Sequence, residues 1–124
     1  MTAFYPGRPP IDSYGNGGFR FAGISHRGSI LVLPSGVYKW TPDPAVLKAS
    51  DFAAILAERD GIDLLLLGMG SVMTRPPRAV AETIAASGMM LDFMTTGAAV
   101  STYNLLHAEN RKVAAALIAV EDAA

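Results

Sequence analysis

The stretch Ile62–Ser71, IDLLLLGMGS, decides the fold class. Its aliphatic residues follow one another without the polar and apolar alternation of a half-exposed strand, which is typical of a strand covered on both faces. Gly68 and Gly70 then supply the turn at which this strand ends. A strand covered on both faces needs other layers packed on its sheet, so this stretch predicts a sheet layered with helices.

Helical patterns flank this strand on both sides. We expect Ser50 to cap a first helix, and Gly61 lies where a helix commonly ends in a left-handed residue. A second helix is predicted over residues 76–88, because two prolines open it and a glycine closes it. Val80 and Ile84 lie four residues apart in this segment, so both are expected on its buried side.

The C-terminal half continues the alternation. Met89–Met94 is apolar and is predicted as another buried strand. Thr95 or Thr96 can cap a third helix that runs to about Ala108. Residues 111–120 allow two interpretations, because their alanines favour helix while their branched residues favour strand. We prefer a closing strand.

The first third of the chain predicts strands of a different kind. Residues 14–23 alternate apolar and polar side chains between glycines, residues 26–29 look like a turn, and the runs 29–33 and 36–40 are short and each end near a proline. Together they predict an antiparallel meander.

These patterns predict an α/β fold: a single-domain, layered β/β/α sandwich in which N-terminal antiparallel strands precede alternating helices and strands. Residues 1–10 contain three prolines and are expected to be a flexible arm, with the domain spanning residues 11–124.

Composition excludes several classes of function. The chain of 124 residues has no cysteine, which removes disulfide scaffolds, thiol nucleophiles and thiolate metal sites. A net charge of −1 without basic clusters argues against a nucleic-acid partner. The apolar run Leu64–Leu67 is too short to cross a membrane, and the N-terminus lacks the apolar stretch of a signal peptide. We therefore expect a cytoplasmic protein.

Two glycine-containing turns form a candidate ligand site. If their strands are parallel neighbours, the turns Gly68–Ser71 and Thr95–Gly97 lie at the same edge of the sheet. The helix that begins there would direct free N–H groups into the crevice, and the hydroxyl groups of Ser71, Thr95 and Thr96 would lie nearby. This arrangement suits an anion. The motif lacks the third glycine of a dinucleotide site and the lysine of a phosphate loop, so tight turns and helix capping are the favoured interpretation.

The third predicted helix is rich in hydroxyl and amide side chains, which indicates either a buried polar network or a surface that meets a partner. Thr102, Tyr103 and Asn104 lie on it, and Glu109 and Arg111 follow it. The two histidines have no nucleophile or metal ligand at a useful spacing, and no hydrolase motif is present. We therefore expect no catalytic residue, no metal site and no cofactor.

Several segments resemble a known family. In chain order they are Ile11-x-x-Tyr14-Gly15-x-Gly17-x-Phe19, Gly28-Ser29-Ile30-Leu31, Trp40, Leu67-Gly68-x-Gly70, Met94-x-Thr96 and Thr102-Tyr103-Asn104-x-Leu106-x-Ala108-Glu109-x-Arg111-x-Val113-Ala114-Ala115-Ala116-Leu117-Ile118. They resemble the small uncharacterised domain family of bacteria and archaea that includes the mitochondrial NADH dehydrogenase (complex I) assembly factor 3 and a human adipogenesis-associated protein. The resemblance implies the β/β/α fold and a role in holding partner proteins during assembly of a membrane-associated respiratory complex.

Three functional hypotheses follow. The first is a non-catalytic protein-interaction domain, an assembly or adaptor factor that docks through proteins at the inner face of the cytoplasmic membrane. Its surface would be formed by Thr95, Thr96, Thr102, Tyr103, Asn104, Glu109 and Arg111. The second is a small anionic-ligand binding protein or enzyme that uses the crevice between Gly68–Ser71 and Thr95–Gly97. The third is a homodimer contact through the polar helix.

Overall fold

The computed structural model describes residues 5–123 as two sheets and three α-helices. In chain order the strands are β1 (Tyr5–Pro6), β2 (Ser13–Gly15), β3 (Gly18–Phe21), β4 (Ile24–Arg27), β5 (Ile30–Leu33), β6 (Gly36–Lys39), β7 (Leu64–Gly68), β8 (Met90–Met94) and β9 (Val113–Leu117), and the helices are α1 (Ala53–Ala57), α2 (Arg78–Ala86) and α3 (Thr96–Ala108).

The larger sheet has six strands in the order β1-β6-β5-β9-β7-β8. β7 is parallel to both of its neighbours, β8 and β9, while β9 is antiparallel to β5. The smaller sheet contains β2, β3 and β4, all antiparallel. The predicted α/β class and the antiparallel start of the chain are confirmed, although residues 26–27, expected in a turn, belong to strand β4.

The six-stranded sheet is the middle layer of the core. α1 and α2 pack on one face, and α3 and the smaller sheet pack on the other. The side chains of β9 alternate between the two faces of this sheet. Ala114 packs on the face that α1 and α2 cover, while Val113 and Ala115 pack on the face that α3 and the smaller sheet cover. All five residues of β9 are buried, because this strand has a neighbour on each side and a layer on each face. The closing strand is thus confirmed over Val113–Leu117.

The second and third helices follow the prediction. α2 begins directly after Pro77, and its Val80 and Ile84 are completely buried. α3 begins at Thr96, and the Thr95 side chain accepts a hydrogen bond from the Ala98 N–H at 3.3 Å. A side-chain oxygen at this position satisfies one of the N–H groups that the first helical turn leaves unpaired.

The first helix differs from the prediction. It consists of a 3₁₀ turn over Ala49–Phe52 and one short α-helical segment. Ser50 does not cap it; the Asp51 carboxylate accepts the Lys48 backbone N–H at 2.8 Å instead. Gly61 ends a second 3₁₀ turn without a left-handed backbone, so its expected role is also wrong.

The structure places residues 5–10, which were expected to form a flexible arm, against the body of the protein, and residues 1–4 lie outside the described part of the chain. β1 pairs with β6 at the margin of the large sheet. Arg8 Nη1 donates to the carbonyl oxygen of Val113 at 2.9 Å, and Pro9 is buried. Prolines do not prevent this docking, because hydrogen bonds between side chains and backbone carbonyl oxygens hold the segment and need no proline N–H.

The expectation that Met89–Met94 is a buried strand is also wrong in part. β8 is the last strand of the six-stranded sheet, so it has a paired neighbour, β7, on one side. Met90 is 71% exposed and Asp92 is exposed as well. An apolar strand at this position leaves both side chains and one row of backbone groups at the surface.

Candidate functional site

The carboxyl ends of β7 and β8 meet at one edge of the sheet. The strands are parallel, with Gly68 opposite Met94. The Met69 N–H donates to the Met94 carbonyl oxygen at 2.8 Å, and the Thr96 N–H donates to the Gly70 carbonyl oxygen at 2.9 Å. The prediction that these two turns lie side by side is confirmed. The bonds between them also show that little space separates them.

The Thr96 side chain connects three segments at this edge. Its Oγ1 accepts the Gly70 N–H at 3.0 Å and donates to the Ile118 carbonyl oxygen at 2.7 Å, and the residue is fully buried. Gly68 lies so close that a Cβ atom there would be 3.0 Å from the Thr96 Cα atom. The expectation that the Thr96 hydroxyl group is exposed is therefore wrong. It satisfies backbone groups that would otherwise be buried unpaired.

The predicted crevice is nearly closed. Its cavity holds about 60 Å³. It is lined by Tyr14, Gly70, Ser71, Thr95, Gly97, Ala98, Val120 and Asp122. Tyr14 lies over the start of α3, and a Cβ atom on Gly97 would overlap its hydroxyl oxygen. Small-molecule pockets usually enclose about 300–1,000 Å³. The Asp122 carboxylate also repels an anion. This geometry favours capping and tight turns over a ligand site, and Ser71 remains exposed beside it.

Tyr103 lies inside the protein and binds the N-terminal segment. Its side chain is completely buried, and its hydroxyl group donates to the Pro9 carbonyl oxygen at 2.8 Å. Burial raises the pKa of Tyr103 above its ordinary value, because ionisation would place a charge among apolar groups. The His107 ring stacks against the Tyr103 ring with centroids 5.6 Å apart. The expectation of an exposed Tyr103 is wrong.

Asn104 has a similar structural role next to Tyr103. Its Oδ1 accepts the Ile11 N–H, and its Nδ2 donates to the Ile11 carbonyl oxygen, both at 2.8 Å. The amide group thus both accepts and donates a hydrogen bond. The polar character of α3, which the sequence left open between a buried network and a partner surface, is explained at Thr96, Tyr103 and Asn104 by contacts within the chain.

The other proposed partner residues remain accessible. Thr95 and Thr102 are half-buried, and Glu109 and Arg111 are exposed in the turn after α3. The Arg111 backbone N–H donates to the Leu106 carbonyl oxygen at 3.0 Å, which fixes this turn but leaves the guanidinium group outside. These side chains are separate surface groups, and a binding role for them stays a prediction.

The outer edge of β8 presents backbone groups to solvent. The Met90 N–H donates to the Asp63 carbonyl oxygen at 3.0 Å, and the Met94 carbonyl oxygen accepts a hydrogen bond from the Met69 N–H. Residues 90, 92 and 94 therefore direct their backbone groups toward β7. Backbone direction alternates along a strand. Leu91 and Phe93 therefore direct their N–H and C=O groups outward, where the part of the chain that the structure describes contributes no further strand.

A groove of about 630 Å³ runs along this edge between α2 and β8. Its lining residues are Arg75, Pro76, Arg78, Ala81, Ala85, Met89, Met90, Leu91 and Phe93. Leu91 and Phe93 are half-buried and pack on the core from its floor. The Arg75 guanidinium carbon lies 5.4 Å from the centre of the Phe93 ring, an arrangement that fixes a positive charge at the rim.

Two further exposed apolar residues lie in the loop before α2. Val72 is 72% exposed and Met73 is 59% exposed. Sequence reasoning missed the β8 edge because periodicity alone does not reveal the order of strands in a sheet. The available signal was Asp92: a carboxylate inside an apolar strand is costly unless that strand lies at an edge.

Comparisons with known proteins agree with this fold. A family model described as "Protein of unknown function (DUF498/DUF598)" matches residues 11–118. An uncharacterised protein of Rhodobacter capsulatus is 39% identical over 114 residues, covering 92% of this chain and 87% of the other. NADH dehydrogenase [ubiquinone] 1 alpha subcomplex assembly factor 3 of Danio rerio is 32% identical over 112 residues and 87% of this chain. The alignment spans only 63% of the length of that assembly factor.

A solved structure is similar over almost the whole chain. It is a crystal structure of a protein from Bartonella henselae described as an outer membrane protein, with a TM-score of 0.91 and 49% identity over 94% of this chain and 99% of the other. Across residues 5–123, none of the helices combines the length and the apolar character needed to cross a membrane.

Proposed function

Because the chain belongs to the DUF498/DUF598 family of proteins of unknown function, which includes relatives of complex I assembly factor 3, we propose that it is a non-catalytic protein-binding domain of the assembly or adaptor type. The alignment with the Danio rerio factor covers 87% of the chain, so the shared unit is this domain. An assembly factor needs a surface that holds a partner protein.

The open edge of β8 carries this proposal. It combines outward backbone groups, the 71% exposed Met90 and a groove floored by half-buried Leu91 and Phe93. Exposed apolar surface next to an unpaired strand is typical of sites that bind other proteins. Val72 and Met73 add exposed apolar side chains in the loop after β7. This surface replaces buried Thr96 and Tyr103 in the proposed partner contact, and Thr95, Thr102, Glu109 and Arg111 would contribute only from outside it.

We further propose that the partner is part of a membrane-associated complex and that the chain docks on it through protein contacts at the inner face of the cytoplasmic membrane. The name of the Danio rerio relative supports the respiratory complex, whereas the description of the Bartonella henselae relative as an outer membrane protein names a different membrane. Fractionation of cells that express the tagged chain tests this location. We expect it with inner membranes and released by high salt; recovery with outer membranes would contradict the cytoplasmic location.

Affinity capture of the tagged full chain tests the function. We expect the same partner protein in replicate preparations, and we expect the double substitution Val72→Ser and Met73→Ser to reduce its recovery. Val46→Ser is the matched control, because Val46 is 58% exposed in a different loop. Retained thermal stability of both variants excludes unfolding as the cause. No reproducible partner, or equal losses in the two variants, would refute the proposal.

The small-ligand hypothesis lacks a supporting cavity, since the crevice at Thr95–Gly97 encloses about 60 Å³. A thermal-shift screen with phosphates, nucleotides and carboxylates tests it directly, because a ligand at one hundred times its Kd adds about 2.7 kcal/mol of stability. The homodimer hypothesis is tested by sedimentation at two concentrations.

A further inference from the structure

We propose, on the basis of the proposed function, that β8 receives an extended segment of a partner protein as a seventh strand of the sheet. The segment would carry apolar side chains toward the α2 groove and a basic side chain opposite Asp92. The proposal names both the manner of docking and the chemistry of the partner sequence.

The backbone of β8 is arranged for this addition. Leu91 and Phe93 are two residues apart and direct their N–H and C=O groups outward, so an antiparallel segment can form two complete hydrogen-bonded pairs with them. β8 has five residues and no proline. The opposite margin of the sheet is less suited, because β1 is two residues long and Pro6 has no N–H to donate.

The side chains of the added strand would meet two different environments. Residues paired with Leu91 and Phe93 would lie on the same face as these side chains, above the groove of about 630 Å³ beside α2. Ala81 and Ala85 form the helical wall of this groove, and their small side chains leave room for larger ones from the partner. Apolar residues at alternate positions of the partner segment would therefore be covered.

Asp92 determines which charge is favoured at the partner residue that lies between those paired with Leu91 and Phe93. It lies in the middle of β8, exposed on the face opposite to Leu91 and Phe93. In an antiparallel pair, the residue opposite Asp92 is in a non-hydrogen-bonded position, where Cα atoms are only about 4.5 Å apart. A lysine or arginine at that position is favoured by the carboxylate, and an acidic residue is repelled.

The same carboxylate opposes a second copy of this chain as the occupant. Two β8 strands paired antiparallel about their centres would place Asp92 against Asp92 of the other copy while pairing Leu91 with Phe93. Like charges directly opposite are destabilising. An inward or edge charge of this kind is a common protection against edge-to-edge association. Asp92 thus disfavours a second copy of this chain and favours a different protein that carries a basic residue opposite Asp92.

Synthetic peptides of about nine residues provide the test. The first peptide alternates threonine and valine with one lysine at its centre, and the second has glutamate in place of the lysine. Titration of each into the ¹⁵N-labelled full chain is followed by NMR. We expect the lysine peptide to shift the amide signals of Leu91 and Phe93 and to bind roughly three- to tenfold more tightly than the glutamate peptide, in line with the energy of a cross-strand charge pair.

A charge reversal provides the matched control. Asp92 is exposed, so Asp92→Lys is expected to keep the fold, and it should reverse the preference to the glutamate peptide. Asp60→Lys makes the same charge change at an exposed position outside the groove lining and should leave the preference unchanged. A lysine peptide in which the two central valines are N-methylated should not bind, because it lacks the N–H donors of an added strand.

The outcomes separate this inference from the proposed function. Absence of binding, shifts away from β8, or an unchanged preference in Asp92→Lys would overturn the added-strand mode. A concentration-dependent dimer whose interface is β8 would overturn it as well, in favour of a second copy. A partner recovered in affinity capture equally by the wild type and Asp92→Lys would leave the proposed function standing while refuting the selection of a basic residue by Asp92.

Discussion

Asn104 and Ile11 are joined by two hydrogen bonds of 2.8 Å, in which one side-chain amide pairs with both backbone groups of a residue 93 positions away. The amide thus pairs with Ile11 in the same way as a residue of a neighbouring β-strand would. Tyr103, the preceding residue, binds Pro9 in the same segment. The polar residues of α3 consequently fasten the start of the chain to the core.

Asn104→Ala should destabilise the protein by about 2 kcal/mol. It removes both partners of Ile11, and unsatisfied groups that are partly buried typically cost about 1–3 kcal/mol. Urea denaturation at neutral pH measures the change in the free energy of unfolding. Thr102→Ala is a suitable control, because Thr102 is half-buried on the same helix and should change stability by less than about 0.5 kcal/mol. Equal effects of the two substitutions would contradict this role of Asn104.

Tyr103→Phe should destabilise the protein by about 1–2 kcal/mol at pH 8, because it leaves the Pro9 carbonyl oxygen without its donor. The effect should shrink with rising pH. Burial raises the pKa of Tyr103 in the folded chain, so above about pH 10 the unfolded chain releases this proton and the folded chain retains it. The stabilising contribution is thus complete below the ordinary tyrosine pKa and is lost above it.

The difference in stability between wild type and Tyr103→Phe, measured from pH 8 to 11, checks this sign. All other ionisable groups are present in both proteins, so their contributions cancel in the difference. A difference that stays constant or grows as the pH rises would show that Tyr103 ionises at least as easily in the folded chain as in the unfolded one.

Local patterns predicted the elements whose environment is determined by near neighbours. The unbroken aliphatic run in Leu64–Leu67 identified β7, and the spacing of Val80 and Ile84 identified the buried side of α2. Thr95 was recognised as one of two possible caps because capping depends on atoms three residues away. These features could be predicted because they need no knowledge of distant segments.

Exposure could not be predicted in the same way, because it depends on strand order and on long-range docking. Met90 is exposed since β8 is the last strand, which no local pattern reveals. Tyr103 is buried because Pro9, 94 positions earlier, folds over it. The proline-rich start of the chain looks like a linker by composition, yet its carbonyl and N–H groups are the partners that the polar residues of α3 require.

Gly97→Ala should destabilise the protein by about 1–2 kcal/mol, although alanine is the better helix former. A Cβ atom at Gly97 overlaps the hydroxyl end of the Tyr14 side chain, so this end must shift away from the start of α3. In a Tyr14→Ala background the same substitution should instead stabilise by up to about 1 kcal/mol, since only helix propensity remains. A double-mutant cycle measured by urea denaturation tests the coupling, and additive effects would contradict the contact.

Asp92→Thr should make the protein self-associate. Threonine is a good strand former, and it removes the like charges that would face each other when two β8 strands pair about their centres. Sedimentation equilibrium over a wide range of concentrations should then detect dimers that are absent or much weaker in the wild type. Glu82→Gln removes the same charge from the exposed side of α2 and should remain like the wild type, which separates a local effect at the strand edge from a general change in net charge. If Asp92→Thr is as monomeric as the control, the Asp92 carboxylate does not protect this edge from a second copy.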